Sequence, residues 1–327
     1  MKTLTLTKAG IASTIQDGGR VGTLHAGIAP AGAMDPLALK AGQYCLGHHA
    51  GEAAIEIAYG NIRAMPSHDC SLVVTGAPAT VLIDNEPAPT QCIHTLRAGQ
   101  TLTIGPPSEG VYSYLHVSGG FNTDLVFASR STSPREGIGG LHGGYLRDQD
   151  VIPLSDGPSV SDTYRADPGL CKIAQRAVLT LRYVPGYQYD ELAPALIQRL
   201  NEDHFEVTAK ANRMGVTLNG PPLKTGVESL LSEATCQGAI QIPPDGNPIV
   251  LMKDRQTMGG YPIPGAVIES DCARLAQARP GQRIRFAACT PQEADNIRWL
   301  EHHYVETRLR LEKKLPSLFQ PRSKRFW

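Results

Sequence analysis

Glycine and proline interrupt this chain so often that long helices have little room before its C-terminal end. The 33 Gly and 25 Pro residues fall between short runs that are rich in β-branched residues or that alternate apolar and polar side chains. Glycine and proline favour turns, and an alternation with a period of two is typical of a strand with one buried face. The pattern predicts a mainly β fold with a few helices.

Strands and helices can be placed from the same pattern. Helices are predicted at 35–46, where Asp35 can cap the first turn and Pro36 suits it, and at 270–277, ahead of the turn-forming residues 279–281. Strands are predicted at 4–6, 54–58, 71–75, 80–83, 101–104, 111–117, 178–184, 249–252 and 283–286.

The length of 327 residues suits roughly two domains at about 150 residues each. Residues 155–175 are rich in Ser, Asp, Pro and Gly without periodicity, which predicts a linker. We therefore predict an N-terminal half at 1–160, a C-terminal half at 176–290, and a C-terminal helix followed by a basic tail at 291–327. A Gly-containing turn leads into an alternating strand at both 97–104 and 279–286, as if the two halves end alike.

Charge and cysteine usage exclude several classes of protein. Lysine and arginine number 31, as do aspartate and glutamate, so no overall positive field attracts nucleic acid or anionic lipid. No apolar run reaches the roughly 20 residues of a membrane span, and the N-terminus lacks the apolar core of a signal peptide, so we expect a cytoplasmic protein. The seven cysteines form no Cys-x-x-Cys pair, and the histidine pairs at 48–49 and 302–303 diverge on a helix, so we predict no metal site.

Familiar catalytic signatures are also missing from the sequence. There is no Gly-x-x-x-x-Gly-Lys-Ser/Thr loop, no Gly-x-Gly-x-x-Gly after a strand, no His-Glu-x-x-His and no Gly-x-Ser-x-Gly. The chain instead carries polar, Gly-dense clusters where a core would need apolar residues.

The first cluster covers 16–22 and continues to 32–35. Its glycines allow the backbone to approach a ligand, and Arg20 can bind a carboxylate or phosphate through its planar guanidinium. The alternative is a pair of tight turns in which Arg20 pairs with Asp17 or Asp35. Glu56, in the middle of a predicted strand, is a candidate buried partner for an arginine.

Two further clusters follow. Glycine-rich and hydroxyl-rich segments at 118–120, 129–132 and 137–140 can present N–H groups to an anion, although ordinary loops share this composition.

The densest cluster combines amide, carboxylate, guanidinium and hydroxyl groups beside a Gly-Gly loop, which suits a small molecule with amide or carboxylate groups. A self-contained polar network that braces one end of a barrel is the alternative. The candidate residues of this densest cluster are Arg213, Gln241, Asp254, Gln256, Thr257, Gly259, Gly260 and Tyr261.

Together these motifs resemble the biotin-dependent carboxyltransferase, allophanate hydrolase subunit 2 family, and within it the type formed by the C subunit of 5-oxoprolinase. The resemblance runs from about Thr3 to Phe286 and implies two cyclophilin-like β-barrel halves in one chain. The motifs that carry it, in chain order, are Thr-Ile-Gln-Asp-Gly-Gly-Arg at 14–20, Gly-Ala-Met-Asp at 32–35, Arg-Ser-Thr at 130–132, Asn-Arg-Met-Gly at 212–215, Gly-Ala-Ile-Gln at 238–241 and Asp-Arg-Gln-Thr-Met-Gly-Gly-Tyr-Pro at 254–262.

The resemblance implies that the chain works in a complex. Its expected partners are a smaller protein of related fold, similar to the B subunit of 5-oxoprolinase, and a separate lactam-utilisation-type protein, similar to the A subunit. The three together are expected to hydrolyse 5-oxoproline to glutamate with ATP, and the protein that binds ATP is left open. Covalent biotin is not expected on this chain, which has no Met-Lys-Met site and no room for a biotin carboxylase.

Two alternatives come from the same family. One is a subunit of a biotin-dependent carboxyltransferase of the urea or allophanate type. The other is a non-catalytic regulatory protein that binds a small subunit similar to a kinase inhibitor.

The lactam chemistry suggests roles for the candidate residues. A five-membered lactam is an unstrained, resonance-stabilised amide, and phosphorylation of its carbonyl oxygen makes it a far better electrophile for water. Arg213, Gln241, Gln256 and Thr257 are predicted to orient the lactam and its carboxylate, with Asp254 among the catalytic candidates. Arg20 and Arg130 are predicted to offset charge on a phosphate. The remaining candidates for substrate binding are Asp35, Glu56, Ser131, Gly259, Gly260 and Tyr261.

Overall fold

The computed structural model describes residues 2–47, 51–157, 177–226 and 229–313, and within them the predicted mainly β fold with a few helices is confirmed. Eleven strands precede residue 158. They are β1 (Thr3–Lys8), β2 (Ala12–Gln16), β3 (Ala54–Ala58), β4 (Ile62–Pro66), β5 (Cys70–Gly76), β6 (Ala79–Ile83), β7 (Glu86–Ala88), β8 (His94–Leu96), β9 (Leu102–Pro107), β10 (Tyr112–Val117) and β11 (Val151–Pro153).

The N-terminal strands form two antiparallel sheets that share one core. Six strands follow the order β11-β1-β4-β9-β6-β7, and five follow the order β2-β3-β10-β5-β8. Buried side chains from both sheets, such as Leu6 and Ile104 from the first and Ile55 and Leu115 from the second, belong to a single apolar cluster. The burial of these faces holds the two sheets together.

Nine strands make up the described part of the C-terminal half. Seven of them form one sheet in the order β16-β17-β14-β13-β20-β12-β19, and β15 pairs with β18 in a separate two-stranded ribbon. A bridge between Ala239 and Ala266 joins the two edges of the large sheet into a nearly closed barrel. The bounds are β12 (Val178–Pro185), β13 (Phe205–Ala211), β14 (Gly215–Asn219), β15 (Glu233–Ala234), β16 (Ile240–Gln241), β17 (Ile249–Leu251), β18 (Met258–Gly259), β19 (Gly265–Val267) and β20 (Arg283–Ala288).

Four helices complete the described fold: α1 (Pro36–Cys45), α2 (Pro194–Glu202), α3 (Glu269–Ala276) and α4 (Pro291–Lys313). The predicted start of α1 is confirmed, because the Asp35 carboxylate accepts the backbone N–H of Ala38 at 3.1 Å and Pro36 occupies the first turn. Ala38 and Leu39 of α1 join a second apolar cluster that also contains Leu181 and Phe286 of the barrel. The two halves therefore share a core.

All nine predicted strands and both predicted internal helices are present, as is the C-terminal helix. The turns at the two similar segments also match, since the N–H groups of Gln100 and Gln282 each donate to the carbonyl three residues earlier at 3.0 Å. Residues 158–175 of the predicted linker and the basic tail lie outside the described residues, so the domain boundaries stay predictions. No helix in the described ranges is long and apolar enough to cross a membrane.

Two side chains that follow α3 fasten the C-terminal half to the loop before β10. The Arg279 guanidinium donates to the carbonyl oxygens of residues 107, 108 and 110 at 2.6–3.0 Å. The Gln277 amide oxygen accepts the N–H groups of Val111 and Tyr112, each at 2.9 Å. Its amide nitrogen donates to the Asp35 carboxylate at 2.9 Å, so α1 is fastened as well.

Candidate functional site

A buried ion cluster lies where the two halves meet. The Arg213 guanidinium donates to both oxygens of Asp254, at 2.7 and 2.8 Å, and to Glu56 Oε1 at 2.5 Å. It also donates to the carbonyl of Gly32 at 2.9 Å. Exposed fractions are 7% for Arg213, 3% for Asp254 and 1% for Glu56, so water scarcely screens these charges.

Local structure explains how these three side chains meet. Glu56 lies in the centre of β3, all of whose residues are buried. Arg213 occupies the tight connection between β13 and β14, where the Asn212 side chain accepts the N–H of Met214 at 2.8 Å. Asp254 follows β17 and donates its N–H to the Arg213 carbonyl at 2.8 Å, which sets the two side chains side by side.

The cluster satisfies its own charges. Burial by itself lowers the pKa of Arg213, but the Asp254 and Glu56 carboxylates more than offset that effect, and the pKa lies well above its usual value. Glu56 Oε2 also accepts the N–H of Met34 at 2.7 Å and the Tyr114 hydroxyl at 2.8 Å. The predicted buried partner of Glu56 is thus an arginine, namely Arg213, whose hydrogen bonds all go to protein oxygens.

Asp35, a candidate for substrate binding, is placed differently from that prediction. Its carboxylate caps α1 and accepts the Gln277 amide, and its N–H donates to the Tyr114 hydroxyl at 2.7 Å. Burial raises the pKa of Asp35, and the Gln277 hydrogen bond works in the opposite direction. Asp35 therefore supports the ion cluster through Tyr114 and Glu56.

Asp17 organises the second polar cluster. Its Oδ1 accepts the hydroxyls of Ser129 and Ser131, each at 2.6 Å, and the N–H of Gly19 at 2.8 Å. Its Oδ2 accepts the N–H of Arg130 at 2.6 Å. With 4% of its surface exposed, this carboxylate fixes the 129–131 segment against the 17–19 turn. Ser131 is fully buried and occupied by these bonds, while the Arg130 guanidinium donates to the Phe121 carbonyl at 3.0 Å.

Arg20 is buried beside this cluster, with 3% of its surface exposed. The interpretation that it pairs with Asp17 or Asp35 is wrong, because its Nε donates to the Val126 carbonyl at 3.2 Å and its Nη2 to the Ser131 carbonyl at 2.5 Å. Its Nη1 is buried and has no hydrogen-bond partner among the described residues. Burial lowers the pKa of Arg20, and the more distant Asp17, Asp254 and Glu136 carboxylates counteract it.

The third cluster brings two glutamines together. Gln256 Nε2 donates to Gln241 Oε1 at 3.1 Å, and Gln241 is 1% exposed at the end of β16. Gln241 Nε2 is buried, has no hydrogen-bond partner in the part of the chain that the structure describes, and faces Gly259, where a Cβ would collide with it. The Thr235 hydroxyl donates to the Gln256 carbonyl, which holds the β15–β18 ribbon over the glutamine pair.

The other candidates of this cluster lie along the ribbon. The Thr257 carbonyl accepts the N–H of Thr235 at 2.9 Å, and the Gly260 carbonyl accepts the N–H of Leu230 at 2.7 Å. Tyr261 is 38% exposed. The structure thus brings Gln256 and Gly259 to Gln241, whereas the Asp254 carboxylate binds Arg213. Thr257, Gly260 and Tyr261 lie further along the ribbon and its following loop.

The polar clusters of the two halves are connected. Gln16 Nε2 donates to the Thr132 carbonyl at 3.0 Å, and its Oε1 accepts the N–H of Gly32 at 3.1 Å. Gly32 in turn accepts from Arg213. Gln16, Asp17 and Tyr114 are not among the predicted site residues, although Gln16 and Asp17 belong to the first cluster. Their position as polar residues at the end of a strand is the sequence signal that could have identified Gln16 and Asp17. Among the described residues, no group of three His, Cys, Asp or Glu side chains is arranged to hold a metal ion.

Comparisons with known proteins identify the family of the chain. Residues 26–288 match the family described as carboxyltransferase domain, subdomain A and B. The chain is 36% identical over 304 residues to the 5-oxoprolinase C subunit of Escherichia coli (strain K12), which covers 93% of this chain and 96% of that protein. It is also 36% identical over 296 residues to the 5-oxoprolinase C subunit of Haemophilus influenzae, which covers 90% of this chain and 94% of that protein.

A solved structure shows the same fold. The crystal structure of the Kluyveromyces lactis urea carboxylase is similar with a TM-score of 0.87 and 21% identity, over 94% of this chain and 29% of that one. The chain therefore spans less than a third of the urea carboxylase chain, and the likeness concerns the fold alone.

Proposed function

Because the chain belongs to the family of carboxyltransferase domains with subdomains A and B, we propose that it is the C subunit of an ATP-dependent 5-oxoprolinase, which hydrolyses the lactam of 5-oxoproline to glutamate. The observation that carries this proposal is the end-to-end match to two proteins named as the C subunit of 5-oxoprolinase, which covers at least 90% of both partners in each comparison. A match of this extent supports an equivalent protein rather than a shared module.

The reaction sets requirements for the complex. ATP transfers its γ-phosphoryl group to the lactam carbonyl oxygen and leaves as ADP. One water attacks the activated carbon, and the C–N bond breaks with the ring nitrogen leaving as the amine. A second water releases phosphate from the resulting acyl phosphate, giving glutamate. We assign ATP to the complex rather than to one of its proteins. The unpartnered Nη1 of Arg20 and the half-buried Arg130 fit a phosphate group chemically, because a guanidinium donates several N–H bonds to oxyanions.

The glutamine pair suits the lactam itself. Gln241 Nε2 is a buried donor with no protein acceptor, so a carbonyl oxygen of a ligand satisfies it. Gln256 and Thr257 present further amide and hydroxyl groups along the same ribbon. Arg213 acts instead as a positioning residue, since its guanidinium is bound to Asp254, Glu56 and Gly32.

The name of the relatives implies partner proteins in a complex, and we propose two of them. One is a smaller protein of related fold that is B-like in the naming of 5-oxoprolinase subunits. The other is a separate, A-like protein of the lactam-utilisation type. Neither the ion cluster nor the glutamine pair contains an evident nucleophile, which supports a division of the reaction among the three proteins.

The test is a 5-oxoproline-stimulated ATPase assay on the three mixed proteins. We expect ATP hydrolysis that depends on 5-oxoproline and on all three components. Gln256→Ala should remove most of the stimulated rate, and the matched control Gln198→Ala, on the exposed face of α2, should leave it unchanged. Equal rates in wild type and Gln256→Ala contradict the site, and no stimulation in the complete mixture contradicts the function.

A second candidate is a subunit of a biotin-dependent carboxyltransferase. The family description and the fold shared with urea carboxylase favour it. It predicts a biotinylated protein that co-purifies with the chain, visible on a streptavidin blot, and carboxylation of a urea-like amide. A tight complex with the small B-like protein that shows no turnover of any kind would indicate the regulatory alternative.

A further inference from the structure

Arg20 is a buried cation without a counter-ion at contact distance. Within the described ranges, no carboxylate oxygen lies within 4.0 Å of its guanidinium, and its two hydrogen bonds go to neutral carbonyl groups. Buried charges in proteins are normally paired, because an uncompensated charge of low exposure is expensive. The arginine is held in this environment by Val126 and Ser131, so its position is built into the fold.

Three carboxylates act on Arg20 from a distance, and each accepts hydrogen bonds from other groups; Glu136 accepts the Ser133 hydroxyl through Oε2. Asp254 attracts Arg20 from a distance, but both of its oxygens accept from Arg213. Asp17 uses both oxygens on Ser129, Ser131 and backbone N–H groups. Neither can turn toward Arg20 without breaking hydrogen bonds that are 2.6–2.8 Å long.

The unpartnered group is a donor. Arg20 Nη1 has no acceptor within residues 2–47, 51–157, 177–226 and 229–313, whereas Nε and Nη2 are fixed by the Val126 and Ser131 carbonyls. A buried N–H group without an acceptor loses a hydrogen bond that it makes in water, so an oxygen ligand has a strong advantage there. Because the donor is charged, an anionic oxygen is favoured over a neutral one.

The site lies next to the surface. Val126 and Ser129 pair across a turn whose two central residues, Phe127 and Ala128, have positive φ angles of 52° and 60°. Such angles are uncommon for residues other than glycine, and Phe127 is also 55% exposed. The turn that holds the Arg20 Nε is therefore an exposed and strained segment rather than part of the core.

We propose that Arg20 is the anchor of an oxyanion subsite, in which Nη1 donates to a carboxylate or phosphoryl oxygen of a small ligand. The identity of that ligand rests on the proposed function: the carboxylate of 5-oxoproline and inorganic phosphate share the required chemistry. A lactam without an acid group offers this subsite no anionic oxygen and should not bind there. Lysine cannot replace Arg20. Arg20 uses Nε and Nη2 for the two carbonyls and Nη1 for the anion, whereas lysine has a single nitrogen for all three.

Binding to the full chain tests the proposal. Calorimetry on wild type, Arg20→Lys and the control Arg63→Gln, an exposed arginine on β4, would use 5-oxoproline, inorganic phosphate and 2-pyrrolidone as probes. We expect at least one of the two anions to bind wild type, roughly a tenfold or greater loss of its affinity in Arg20→Lys, no change in Arg63→Gln, and no binding of 2-pyrrolidone. Binding of only one anion identifies the ligand group as carboxylate or phosphate.

Three results overturn the proposal: no binding of either anion, unchanged affinity in Arg20→Lys, or binding of 2-pyrrolidone with the affinity of 5-oxoproline. A crystal structure of wild type with each anion removes any dependence on the folding of the variant. An anion within hydrogen-bond distance of Arg20 Nη1 supports the proposal, and an anion bound only elsewhere contradicts it. Anion binding at Arg20 together with no 5-oxoproline-stimulated ATPase would leave the subsite standing and remove the proposed function.

Discussion

Glu56 in β3 and Arg213 between β13 and β14 form a buried ion pair across the boundary of the two halves, 157 residues apart in sequence. Asp254 binds the same guanidinium through both oxygens, so one arginine holds two carboxylates that are each less than 5% exposed. Removal of such an arginine leaves both carboxylates without their counter-ion.

Arg213→Met should accordingly destabilise the chain by about 3–5 kcal/mol, because the methionine fills space but leaves Glu56 and Asp254 buried and unpaired. Urea unfolding followed by circular dichroism measures the change. The control is Arg283→Met, at an exposed position of β20, which should alter stability by less than about 0.5 kcal/mol. Equal midpoints for the two variants contradict the role of the ion cluster.

Arg279→Ala should weaken the junction of the two halves by about 2 kcal/mol, since one charged group donates to three carbonyl oxygens of residues 107–110. Thermal or urea unfolding measures the loss. Arg285→Ala on the exposed side of β20 is the matched control. A loss for Arg279→Ala no larger than that of the control would show that solvent replaces these hydrogen bonds without cost.

Gly259→Ala should lower the 5-oxoproline-stimulated ATPase of the complex by about 100-fold, because the new Cβ displaces the Gln241 amide. The backbone of Gly259 has no positive φ angle, so the folded chain should stay within about 1 kcal/mol of wild type. Gly105→Ala, whose Cβ would meet only Thr80 at 3.4 Å, is the control. A fully active Gly259→Ala complex would show that the Gln241 amide does not contact the substrate.

The Cys70 thiol should make stability depend on alkaline pH. Burial, and next the Asp69 carboxylate, raises the pKa of Cys70 to about 11. The unfolded chain loses this proton near pH 9 and the folded chain near pH 11, so the stabilisation is complete below pH 9 and lost as the pH rises through 11. Urea unfolding between pH 8 and 11 should therefore show a smaller decline in Cys70→Ala than in wild type. Parallel curves would contradict the shift.

The fold is predictable where residue types that favour a strand or a helix recur in a regular pattern along the sequence. The strand at 54–58 and the helix after Asp35 carry their own signals in β-branched residues and capping groups. The nine-residue α2 was missed, because its two buried apolar residues, Leu196 and Leu200, are too few to define a periodicity. Strands of two residues, such as β15 and β18, depend on their partner and have no sequence pattern of their own.

The site was predictable in composition but not in pairing. The sequence indicates that Glu56 needs an arginine, yet several arginines compete and only the folded chain selects Arg213. Asp17 was missed as an organiser, because its partners Ser129 and Ser131 lie 112 and 114 residues away. Local propensity has no information about contacts at such separations.

The position of β20 has a consequence for how the chain is made. This strand lies between β13 and β12, antiparallel to the first and parallel to the second. A nascent chain that has not yet reached Arg283 thus lacks the strand that joins β13 to β12, and both of these strands present an unpaired edge where β20 belongs. Open edges of this kind invite pairing with other chains. The C-terminal half can close its barrel only when its last strand has left the ribosome, and until then these two edges stay open to other chains.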